Sequence, residues 1–229
     1  MRSPPPPPRG PTPPPRGRGP APKPPVKVTV PRRASARSGP AWLARARRLI
    51  TEPTKEWAAI AAEFTTAGPI YRSFLVPMAA IGPVAATLGT IISGGERSSL
   101  AGTYQISLTD AVTRGVLEYG LNLVGVYLLA VVIDLLAGVL GGQGNRVQAL
   151  KVAAYGSAPY WLGGVLGVLP KLAPIGLLLG LYSVRVYAVG LPTVMGTPRQ
   201  KTAAYTALAS AGAAIIVLVI SAVLQLVVS

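Results

Sequence analysis

The feature that most constrains this chain is a series of long, nearly charge-free stretches between Tyr71 and Val228. A helix needs about 20 apolar residues to cross about 30 Å of hydrocarbon, and within lipid only a helix or a closed barrel satisfies its own backbone polar groups. Five stretches qualify, at about 71–93, 116–140, 152–169, 172–191 and 203–228. The sequence therefore predicts an all-α integral membrane protein with five transmembrane helices in a membrane domain over 70–229. Half of the residues are hydrophobic, which suits solvation by lipid better than by water.

Within these stretches the punctuation is informative. Pro77 and Pro83 each remove a backbone donor and should bend the first span. "GGERSSLAGTY" reads as a loop, and Ser107 with Asp110 reads as a capping box that restarts a helix. The third and fourth spans are joined only by "PKLAP", so they should form an antiparallel hairpin. Gly163, Gly167, Gly176 and Gly180 recur at a spacing that lets helix backbones approach closely. Pro159, two residues after Ser157, frees a carbonyl; it marks either a packing site in the hairpin or a broken helix that lines a substrate site.

Ahead of the spans lies a different polymer. Residues 1–40 are rich in Pro, Arg and Gly, bury too little apolar surface to offset ordering entropy, and should be disordered. A spacer, a ligand for a Pro-recognising domain and an electrostatic tether are all compatible with that composition. Over 41–69 the pattern becomes helical: Trp42, Ala46 and Leu49 share one face, Arg45, Arg47 and Arg48 lie largely off it, and Trp57 heads a second apolar stripe. Basic amphipathic helices of this kind lie on membrane surfaces, so Trp42, Arg45, Arg47, Arg48 and Trp57 are expected to be membrane-surface contacts.

The net charge of +15 is concentrated at this end, where 13 of the 22 Lys and Arg residues precede Tyr71. Without interleaved aromatics the basic segment is read as facing anionic lipid headgroups, and no nucleic acid partner is expected. Under the positive-inside rule the N-terminus should be cytoplasmic, which after five crossings puts the C-terminus outside. With no Cys and no His, disulfides, thiol and imidazole chemistry and Cys or His metal sites are excluded. No carboxylate pair or phosphate-cradling loop appears either, so neither an enzyme nor a cofactor or metal site is expected.

Besides Arg72 and Glu118 at the ends of their spans, two charges sit inside the spans. Arg185 in "LYSVRVYAVGLP" and Asp134 in "LLAVVIDLLAG" each lie about six residues from the same expected interface, roughly 9 Å at 1.5 Å per residue. An isolated charge at mid-bilayer costs at least about 2.5 to 3.5 kcal/mol, and a facing opposite charge relieves that cost. Asp134 and Arg185 are therefore expected to form an intramembrane ion pair. The alternatives are that each is relieved separately, Arg185 by snorkelling to headgroups, or that the two serve a transport path.

Five stretches, "ITEPTKEWAAIAAE", "FLVPMAAIGPVA", "LNLVGVYLLAVVIDLLA", "QALKVAAYGSAPYWLGGVLGVLP" and "LGLYSVRVYAVGLPTVMGTPRQKTAAYT", resemble in order the bacterial branch of the Yip (Ypt/Rab-interacting) membrane protein family. The resemblance implies a five-span domain with a cytoplasmic N-terminus. Eukaryotic members act in vesicle traffic with prenylated Rab GTPases, a role without a bacterial counterpart. Asp134 fits the family pattern, whereas an uncharged residue is commoner where this chain has Arg185.

The sequence thus points to a non-enzymatic membrane-organising or partner-recruiting scaffold in the cell membrane, of the bacterial inner-membrane kind. Its partners would be the bilayer and a protein that the sequence does not name, and a homo-oligomer is compatible with it. The alternative is a small transporter or channel built around Asp134 and Arg185.

Overall fold

A computed structural model describes Ser3, residues 39–99 and residues 102–227. Apart from Ser3, Gly39 and Pro40, the tail expected over 1–40 lies outside the described residues.

The chain enters through two short helices. In α1, Ala41–Thr51, the Pro40 carbonyl accepts from Leu43 and Ala44 at 3.0 and 3.2 Å, which closes the first turn without a side-chain cap. α2, Pro53–Ala62, begins on a proline, whose missing N–H costs nothing in a first turn. α3, Ala67–Ile92, carries a single π turn at Tyr71–Leu75 just before Pro77 and a further irregularity at Ala80 ahead of Pro83. These are the places where a proline withholds a ladder bond, and the helix absorbs the loss by local rewinding.

After α3, Gly94 and Gly95 take positive φ values of 67° and 99° and turn the chain into a two-stranded antiparallel hairpin, β1 (Glu96–Ser99) with β2 (Gly102–Gln105). This segment was expected to be a plain loop. Its polar composition carries no period-2 alternation, so pairing left no trace in the pattern.

α4, Leu108–Leu140, starts where Ser107 Oγ accepts the Asp110 N–H at 3.1 Å and ends at Gly141 in the left-handed conformation, φ 74°. Its 33 residues reach about 50 Å at 1.5 Å each, so it extends beyond the hydrocarbon. Asn145 then caps α5, Arg146–Gly156, by accepting from Val147 and Gln148 at 3.0 and 3.2 Å. From Ala149 to Gly156 every α5 residue is buried, as in a helix surrounded by protein on all sides. The helix breaks at Ser157, ahead of Pro159, and resumes as α6, Ala158–Gly163, which tightens into 3₁₀ turns over Gly164–Val168 and Pro170–Leu172.

α7, Ala173–Met195, is interrupted at Leu181, and α8, Arg199–Val227, completes the described chain. Among the described residues four helices, α3, α4, α7 and α8, are long and apolar enough to cross a membrane. The expected third span, 152–169, is instead divided among α5, α6 and a 3₁₀ turn, because Pro159 and the glycines after it interrupt the helical ladder.

α4 packs on α3, α5 and α8, the second half of α7 packs on α2, α5 and α8, and α6 lies against the first half of α7. Tyr71 Oη donates to Leu123 O at 3.1 Å and Tyr205 Oη donates to Ile133 O, tying α3 and α8 to α4. The densest core lies at the end where α1 and α2 sit, among Trp57, Phe74, Leu75, Ile133, Leu191 and Met195. Elsewhere Leu, Ile and Val side chains such as Ile92, Val116 and Leu218 are exposed, the expected surface of helices solvated by lipid.

Candidate functional site

The residues with the most chemistry gather where α1 and α2 meet the membrane helices. Three acids follow the arginines of α1 in sequence, at positions 52, 56 and 63. Folding across Pro53 brings two of them back onto α1. Glu56 is buried and shared: Arg48 donates to it through Nε at 2.5 Å and Nη2 at 3.1 Å, and Arg45 Nε lies 3.2 Å away. A planar guanidinium suits such a fork. Arg45 also donates through Nη1 to Glu63 at 2.9 Å and to Tyr155 Oη at 3.1 Å, with its guanidinium carbon 5.2 Å from the Tyr155 ring centre. Burial alone would loosen its proton, but Tyr155 and Glu63 outweigh that and raise its pKa.

A second tie runs from α5 to the end of α2. Lys151 is almost fully buried, and its ammonium donates to Ile60 O at 2.9 Å and Glu63 O at 2.7 Å. It thus adds a second donor to Ile60 O, which also accepts the Glu63 N–H at 3.3 Å, and holds Glu63 O just past the end of α2. Trp57 completes the joint as a wedge, fully buried, its ring meeting Gly190 so closely that a Cβ there would lie 2.6 Å from it. Tyr155 stands edge-on to both Trp57 and Phe74, at 6.5 and 4.7 Å between ring centres. Tyr182 Oη donates to Ile50 O at 3.1 Å and fastens α1 to α7.

This arrangement corrects the reading of the amphipathic helices. Of the residues expected to contact the membrane surface, Trp57 is in the protein core, Arg45 and Arg48 are paired with acids, and Trp42 packs against the core. Arg47 is exposed, with no ion-pair partner among the described residues. The apolar stripe is real, but the face it covers belongs to α5 and α7, which offer a lysine and two tyrosines that lipid tails lack.

The charges within the spans are also partnered otherwise than expected. Asp134 accepts from Arg146 Nε at 2.9 Å, while Arg185 is exposed with its guanidinium carbon 6.0 Å from the Tyr182 ring centre. The structure does not bring Asp134 and Arg185 together. The turn over 141–145 folds α5 back along α4, and Arg146 at its start meets Asp134 before any residue of α7 does.

The small residues make two seams. A Cβ on Gly163 would lie 2.3 Å from Gly176 O, and one on Gly176 would lie 2.4 Å from Gly163 O, so α6 and α7 touch backbone to backbone. Gly180 faces Tyr160 in the same hairpin, whereas Gly167 faces Ala86 of α3, where a Cβ on Gly167 would lie 3.5 Å from the Ala86 Cα. At the break before Pro159, Ser157 Oγ bonds Ala153 O at 2.8 Å and Tyr187 Oη at 2.7 Å.

Glu56 and Glu63 have no role in the sequence reading, which takes Arg146 and Lys151 only as cytoplasmic-side charges and Tyr155 only as an interfacial aromatic. The signal for the first two was available: acids matched in number to nearby arginines across a proline break. Lys151 and Tyr155 act over 88 to 110 residues of chain, and local spacing carries no trace of that.

The family model of the Yip1 domain matches residues 47–222. No curated protein and no solved structure gives a significant match.

Proposed function

The chain belongs to the Yip1 domain family, and from that premise we propose that it is a non-enzymatic multi-pass scaffold whose cytoplasmic cap recruits or organises partners at the bilayer. The observation that carries this reading is the network of Arg45, Arg48, Glu56, Glu63, Lys151 and Tyr155, which mounts α1 and α2 on the membrane helices. Such a mount holds a surface in fixed register with the bilayer, which is what recruitment needs and what catalysis does not explain. In this reading α5, α6 and the 3₁₀ turn make a fifth, broken crossing. The cap end carries exposed Arg47, Arg199 and Lys201, which favours a cytoplasmic cap, contact with anionic headgroups and an inner-membrane location. The C-terminus then lies outside.

The transporter alternative loses its support where Asp134 takes Arg146 as partner. The test uses photo-crosslinking groups at Lys55 or at Phe64, the latter fully exposed, in native membranes. A protein captured there and lost on Glu56→Ala, with insertion intact, supports the scaffold. Solute flux in proteoliposomes above that of empty vesicles, with no capture, contradicts it.

A further inference from the structure

Arg185, which finds no acid, constrains the lipid around it. α7 runs 23 residues from Ala173 to Met195. Arg185 sits near its middle, about 18 Å from the end away from the cap and about 15 Å from the cap end at 1.5 Å per residue. It is exposed there, with no hydrogen bond or ion pair among the described residues. Its side chain does not reach back towards the cap end: the guanidinium carbon lies 6.0 Å from the ring centre of Tyr182, one turn further from that end. Helical side chains lean this way, towards the N-terminus of their own helix. A charge exposed to hydrocarbon at such a depth is relieved by snorkelling or by thinning of the bilayer, and this geometry disfavours the first.

A second observation sets the polar level at the same place. Tyr182 Oη donates to Ile50 O at 3.1 Å, which fixes the last turn of α1 close to Arg185. The chain then continues through Glu52 and Lys55, whose side chains are 52% and 83% exposed, so polar surroundings reach this depth along α7. α8 makes a different demand. It starts just past the turn that ends α7, with Arg199 and Lys201 exposed, and from Thr202 to Val227 it carries no charge. That uncharged stretch is about 39 Å long, whereas the one between Lys171 and Arg185 on the α7 side is about 20 Å, against about 30 Å of hydrocarbon in a typical bilayer. The two helices therefore present apolar bands of different height.

We propose that α7 thins the bilayer locally: a phospholipid phosphate of the cap-side leaflet descends to Arg185 at the foot of α1, and the hydrocarbon beside α7 narrows to the stretch between Arg185 and Lys171. α8 keeps lipid of ordinary thickness. The inference rests on the reading of α1 and α2 as a cap at one face of the bilayer, and it gives that scaffold an action on the lipid itself.

The chain has no cysteine, so single spin labels can be placed by Val184→Cys on α7 and Ala211→Cys on α8. Both positions are exposed, and the second half of α7 packs on α8. They lie eleven residues from Met195 and twelve from Arg199, so a flat bilayer would hold them at nearly the same depth. The full chain is reconstituted in dioleoyl phosphatidylcholine and phosphatidylglycerol vesicles, and depth is read from relaxation by a neutral nickel chelate, present on both sides, against relaxation by oxygen. The label at 184 should read at phosphate level and the label at 211 within the hydrocarbon. Arg185→Leu should bring the first to the depth of the second, and Arg185→Lys should preserve the difference. Equal depths with Arg185 in place overturn the proposal, and so does a difference that survives Arg185→Leu. Protease protection of α1 and α2 on the same vesicles separates the two readings: equal depths with the cap protected overturn the thinning alone, and cleavage of the cap in the parent chain overturns the cap and the thinning with it.

Discussion

Removing the shared carboxylate by Glu56→Ala tests the mounting of the cap. An exposed ion pair is worth under about 1 kcal/mol, and breaking a buried one costs about 3 to 5 kcal/mol. The Glu56 side chain is only 7% exposed, but Arg45 and Arg48 are 23% and 48% exposed. Arg45 also keeps Glu63 and Tyr155, and Arg48 can turn to water. The loss should therefore fall between the two limits, at about 2 kcal/mol, which is roughly a 30-fold shift towards an undocked cap. Limited proteolysis of the reconstituted chain reads this directly, because cleavage within α1 and α2 tracks the undocked population when docking is fast. The expected result is accelerated cleavage over residues 41–62 with the membrane helices unaffected. A change of less than twofold would show that Glu56 does not hold the cap, and the reasoning from burial would fail.

Gly163→Ala should destabilise the α6–α7 hairpin by about 1 to 3 kcal/mol or more, because its Cβ would lie 2.3 Å from Gly176 O. Gly120→Ala, with nothing within 4 Å of the new Cβ, should be neutral or stabilising; thermal unfolding of the two variants side by side checks the contrast. A double-mutant cycle on Asp134→Asn and Arg146→Ala should return a coupling of about 1 kcal/mol, given that Arg146 is 47% exposed. The same cycle with Arg185→Leu in place of Arg146→Ala should return none.

The spans were legible because lipid imposes one demand on every residue of a crossing segment. "VAATLGTIIS" and "AAIIVLVISAVL" each satisfy it locally, and the helices α3 and α8 follow. The capping of α4 by Ser107 and the breaks near Pro77 and Pro159 are local too, and each has a physical signature in the residue type. What the sequence withheld is which surface an amphipathic stripe meets. Trp57 and Arg45 have the same spacing whether α1 and α2 lie on headgroups or on protein, since both offer an apolar bed with polar groups at its margin. The choice is made by Lys151, Tyr155 and Gly190, residues about 90 to 145 positions on from Arg45 and Trp57. Asp134 failed for a related reason: equal depth was a sound constraint, but Arg146, just beyond the end of the helix, satisfies it sooner than α7 can.

The cap resting on protein instead of lipid is most directly measured through Trp57. With Trp42→Phe and Trp161→Phe as background, the remaining indole can be titrated with phospholipids brominated just below the headgroup in reconstituted vesicles. A Trp57 buried against Gly190 and Tyr155 should keep its emission across the titration. Strong quenching would place the indole in the bilayer interface and contradict a cap docked on α5 and α7.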